Sequence, residues 1–131
     1  MAMLVITFLL RNLEKKVEDF DIIKLVSDTL DPLKSLVIEG WYDEDLNKTH
    51  ITIHEYFDPD GQYEDDEASL IEHNIQVDIW SKDSLEADRL KRKVRKLLLK
   101  NDFRKGASEG FFETKTKIYH KAMRFTYNEF I

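Results

Sequence analysis

The side chains best suited to chemistry in this 131-residue chain are four histidines, His50, His54, His73 and His120, and 26 acidic residues; there is no cysteine. Without cysteine there can be no disulfide, thiolate metal site or cysteine nucleophile, which agrees with a reducing compartment. His50 and His54 fall on one face of an alternating segment, yet four residues of strand cover about 13 Å, too far for both to hold one ion. A zinc site would need His73 or His120 brought in by folding, so the histidines read as surface or hydrogen-bonded core residues. Asp43, Asp45 and Asn47 match the first, third and fifth positions of a calcium loop. The sixth, where glycine makes the sharp turn, is Lys48, and the twelfth, where a bidentate glutamate belongs, is His54. Asp58-Pro59-Asp60-Gly61 is shorter and fails the same spacing. The carboxylates allow many acid/base pairs and specify none. No phosphate-cradling loop or nucleophile elbow appears, and four glycines leave little material for one. No metal, cofactor or catalytic residue is expected, and the chain reads as a non-enzyme.

Charge is more informative than any motif. The net charge is −6, but residues 1–80 hold 6 Lys/Arg against 19 Asp/Glu, and residues 81–131 hold 14 against 7. The segment around Asp58, Asp60, Glu64, Asp65, Asp66 and Glu67 contains no base, whereas Arg89, Arg92, Lys93, Arg95 and Lys96 crowd one later segment. Such halves suit complementary faces that meet between subunits, or within one chain, and these eleven residues form the candidate interface. The alternative is a nucleic-acid module that lays Arg92, Lys93 and Lys96 along phosphates; the acidic half opposes it, and specific nucleic-acid binding is not expected.

The elements that must position these residues follow from periodicity. Leu9, Leu10, Leu13, Val17 and Phe20 recur at helical spacing and predict a helix over residues 4–19. The apolar run from Met1 to Leu10 is cut by Arg11, short of the roughly 20 residues a membrane span needs, so no membrane contact is expected. Residues 22–30 read either as a second short helix or as packed loop, ended by Asp31-Pro32. Strands are predicted over residues 36–42, 49–57 and 71–80, the first two as an antiparallel hairpin, with residues 58–69 as an exposed acidic loop. Asp83, with Glu86 three residues on, opens a helix over residues 84–100 carrying an apolar stripe of Ala87, Leu90, Val94, Leu97 and Leu98. Residues 102–110 read as loop and residues 112–128 as a last strand with Tyr119, Met123, Phe125 and Tyr127 on one face. The expectation is one α+β domain over residues 1–131 in the order α-β-β-β-α-β, its sheet mainly antiparallel and flanked by helices.

Ile75-Gln76-Val77-Asp78-Ile79-Trp80-Ser81, the helix from Ala87 to Leu99, and Thr116-Lys117-Ile118-Tyr119-His120-Lys121-Ala122-Met123-Arg124-Phe125 together resemble tail-completion proteins of long-tailed phages and prophages. These are the tail terminators and tail-to-head joining proteins. The resemblance implies a non-enzymatic homo-oligomeric ring, typically hexameric, without a cofactor. It would sit on the end of the tail tube and contact tail-tube and head-connector proteins, first in the host cytoplasm and then in the virion tail. A ring around a DNA channel favours an acidic or neutral lumen, so the acidic segment would face the lumen or a neighbouring ring.

Overall fold

The computed structural model describes residues 20–34, 36–40, 48–64 and 67–131. The helix expected over residues 4–19, and candidate interface residues Asp65 and Asp66, lie outside them. Residues 22–30 resolve as a helix, α1 (Ile22–Leu30). The Asp21 carboxylate accepts from the Ile23 and Lys24 amides at 3.0 and 3.1 Å, satisfying two of the orphan donors at the helix start. Ile22, Val26 and Leu30, one helical face, are buried. Asp31–Leu33 adds a 3-10 turn with Pro32 in its first turn, and Lys34 then turns left-handed at φ 55°. The second helix, α2 (Ser84–Lys100), spans the residues that periodicity indicated. Asp83 caps it by accepting from Leu85 and Glu86 amides at 2.9 and 3.4 Å. It buries Ala87, Leu90, Val94 and Leu98, with each large aliphatic worth about 1.5–3 kcal/mol when withdrawn from water. Its end is closed by Asn101 and Phe103 amides on the Leu98 carbonyl, with Asp102 at φ 69°.

Six strands are described: β1 (Leu36–Glu39), β2 (His50–Phe57), β3 (Asp60–Glu64), β4 (Glu67–Ser81), β5 (Arg104–Glu113) and β6 (Ile118–Phe130). They form one mixed sheet in the order β1-β2-β4-β6-β5, with β3 also paired to β4. The class is α+β, but the element order differs from expectation in four places. β1 pairs with β2 in parallel, not as a hairpin; Gly40 at φ 115° donates to the Ile53 carbonyl, and residues 41–49 intervene before β2 begins beside β1's first residue. Within residues 58–69, expected as loop, Asp60–Glu64 is strand β3 and Glu67 begins β4. After a bulge near Glu55 and Phe57, Asp60–Glu64 pairs antiparallel with the start of β4, forming an arm beyond the β2–β4 pair. Pro59 stays outside the strands, just before β3, while Gly61 pairs with Leu70 at the sheet edge, where glycine is compatible with strand. Residues 102–110 mostly form β5, whose alternation is broken by a register shift between Lys105 and Ser108 on β6. The single strand expected over residues 112–128 is the end of β5, a turn with Lys117 at φ 56°, and β6.

Both helices pack on one face of the sheet, over Ile51, Ile53, Ile75, Val77, Ile79, Met123 and Phe125, which form a single core with Val26, Leu30, Val94 and Leu98. Tyr119 and Tyr127 pack on its margin, as the alternation of β6 indicated. Among the described residues, no helix is long and apolar enough to cross a membrane.

Candidate assembly surfaces

Strand register gathers three of the four histidines on the sheet face away from the helices. His50, Trp80, His120 and Phe111 lie side by side on β2, β4, β6 and β5. Their rings form a ladder: Trp80 stacks on His120 at 3.7 Å and 9°, His50 lies 6.3 Å from Trp80 at 13°, and Phe111 leans on His120 at 5.5 Å. Two rows away, Asp78 is fully buried. Its Oδ1 accepts from His120 Nε2 at 2.6 Å and from Gln76 Nε2 at 3.0 Å, and its Oδ2 faces His54 Nδ1 at 3.9 Å. Trp80 Nε1 donates to Thr52 Oγ1 at 2.9 Å, so the indole is held at both its face and its edge. A buried carboxylate is tolerated only with such donors around it. Burial pushes the His54 imidazole below its ordinary value of 6.5; the Asp78 carboxylate opposes that shift and the Arg124 guanidinium reinforces it.

Beside the ladder, a cavity of about 330 Å³ is lined by Gln76, Ser108, Glu109, Phe111, His120 and Arg124. The Arg124 guanidinium sits 4.6 Å from the centre of the Tyr56 ring. On the helix side, His73 is clamped by Glu55 on Nδ1 and by Glu129 Oε1 on Nε2 at 3.4 Å, with the Phe20 ring 5.4 Å away. The two carboxylates take opposite edges of one ring, so they brace β2, β4 and β6 and do not converge on a common point. Among the described residues, no group of three or more His, Asp or Glu side chains is arranged to hold a metal.

The nine charged candidates among the described residues divide between two places. Asp58 and Asp60 are exposed at the base of the β3/β4 arm. Glu64 and Glu67 are paired at its far end. Arg89, Arg92, Lys93, Arg95 and Lys96 are exposed on the outer side of α2. Arg92 reaches Asp88 at 3.3 Å within the helix. Among the described residues no ion pair joins the arm to α2. The ladder and Asp78 were missed from the sequence because their residues lie on four separate segments, and only register brings them together. The exposed aromatics Phe111 and Phe112, each about half exposed on β5, were missed because that segment read as loop and the start of a strand.

No family model matches the chain, and a search of curated proteins found no match. Among solved structures, the chain is similar in fold to one from the "Virion of native gene transfer agent (GTA) particle", with a TM-score of 0.60 and 9% sequence identity, covering 88% of this chain and 89% of that one.

Proposed function

We propose that this chain is a structural subunit of a phage-like virion, assembling as a ring that caps the tail tube or joins the tail to the head connector. The observation that carries the reading is the fold shared with a gene transfer agent virion chain over nearly the full length of both. The motifs in β4, α2 and β6 that resemble tail-completion proteins are a second support. The polar side chains inside the sheet are a third: Asp78, His120, Gln76, Thr52 and Trp80 are engaged with one another as braces, which suits a scaffold. On this reading no catalytic residue or cofactor is involved. The acidic arm and basic α2 offer opposite charges for subunit contacts.

The test is to incubate the purified chain with tail tubes lacking their terminal protein and image them by negative-stain electron microscopy. Density at tube ends, with tube length fixed after its addition, is expected. Bare ends and continued elongation at saturating protein would overturn the proposal. The exposed Arg92, Lys93, Arg95 and Lys96 favour one second reading, a nucleic-acid helix. That reading requires DNA or RNA affinity falling steeply with salt, and no binding at low salt would dismiss it.

A further inference from the structure

Among the described residues, β1 and β5 are the outer strands of the sheet, and their edges match each other. Among the described residues, no strand pairs with the outer side of β1 or of β5. An uncovered edge of ten residues bearing two half-exposed phenylalanines is the kind of surface proteins normally protect, because its free amides and carbonyls template pairing with another chain. Two features of register identify the pairing partner.

The first is direction. β1 is parallel to β2, and β2–β4, β4–β6 and β6–β5 are each antiparallel, so β1 and β5 run in opposite senses. Two copies set side by side without inversion would join β5 to β1 in the antiparallel manner. The second is level. Rows of partners cross the whole sheet: Ile38, Thr52, Asp78, Ala122 and Glu109 form one, and Glu39, Ile53, Val77, Met123 and Ser108 the next. The four residues of β1 therefore share rows with Ser108 to Phe111, the part of β5 that pairs regularly beyond its bulge.

Charge agrees with that alignment. Lys105 lies on the row of Glu55, and Arg104 on the row of Phe57, just before Asp58 and Asp60. Joining the edges would thus set the basic start of one β5 beside the acidic base of the next arm. α2 ends at Lys100, with three residues between it and Arg104, so its basic last turns would lie near the same joint.

We propose that the β5 edge of one copy pairs antiparallel with the β1 edge of a second copy, making a heterologous joint that continues the sheet from subunit to subunit. Such a joint uses different surfaces on the two sides, and so can close into a ring. The inference rests on the ring reading above and gives it a contact.

The chain has no native cysteine, which permits a direct test. Opposed residues in an antiparallel pair have Cα atoms about 4.5–5.5 Å apart, within disulfide range. Ile38→Cys with Glu109→Cys, and Glu39→Cys with Ser108→Cys, occupy adjacent rows, so one pair falls at the closer, non-hydrogen-bonded spacing. After mild oxidation, at least one double variant should give a ladder of cross-linked species on a non-reducing gel, ending at the size of the closed assembly. Each single variant should give none. A dimer from Glu109→Cys alone would show β5 pairing with itself and overturn the proposal. Absence of ladders from both double variants, while sedimentation shows the parent chain assembled, would overturn the edge joint and leave the ring standing. No ladders and a monomeric parent would overturn both.

Discussion

Replacing Asp78 tests the claim that the polar sheet face is a brace. The carboxylate is fully buried and accepts two hydrogen bonds through Oδ1, one of them from His120 at 2.6 Å. A hydrogen bond to a charged acceptor contributes about 1.5–3 kcal/mol, and truncation also strands the donors it served. His120 and Gln76 are partly exposed and recover some solvation, so Asp78→Ala should cost about 2–4 kcal/mol. Asp78→Asn keeps the Oδ1 acceptor, places an amide where Oδ2 faces His54, and removes a buried charge; it should cost about 1 kcal/mol or less. Urea unfolding near neutral pH, followed by circular dichroism, measures both. Adding His120→Ala completes a double-mutant cycle with an expected coupling of about 1.5 kcal/mol or more. Asp78 is no brace if Asp78→Ala stays within about 0.5 kcal/mol of the parent, the range of ordinary surface substitutions, or if Asn damages as much as Ala.

Three further outcomes follow from local geometry. Asp83→Ala removes the side-chain acceptor at the start of α2 and should cost about 1 kcal/mol, read as a lower urea midpoint with unchanged slope. Lys117 holds φ 56° in the β5–β6 turn, a conformation costing a side-chain-bearing residue about 1–2 kcal/mol, so Lys117→Gly should raise thermal stability; a fall would contradict the turn as described. His54 has a pKa below 6.5 in the fold, so the unfolded chain takes its proton first. Its contribution is present above pH 6.5 and is lost as pH drops below it. His54→Gln should flatten the loss of urea stability over that acidic range, and an unchanged slope would contradict the burial assigned to this ring.

The legible parts of the fold were those where one period governs one element. Asp83 and the Leu90, Val94 and Leu98 stripe marked α2, and the alternation of Ile75, Val77 and Ile79 marked β4, because each buries one face against a single core. β3 and β5 were hidden by bulges, which add a residue and break the period of two, and by Gly61, Gly106 and Gly110, which edge strands accept. The sense of β1 could not be read from adjacency, since a turn-rich segment of acidic residues suits a hairpin as well as a return to the sheet's other end. The candidate charges were visible in composition. The stacking of Trp80 on His120, 40 residues apart in the numbering, depended on pairing that no local pattern encodes.

Native mass spectrometry of the purified chain across a concentration range tests whether it assembles. One closed oligomer at an integer multiple of 15.6 kDa is expected, favoured by concentration and weakened by salt. A monomer at every concentration, joined by failure to bind tail-tube and connector proteins, would contradict it.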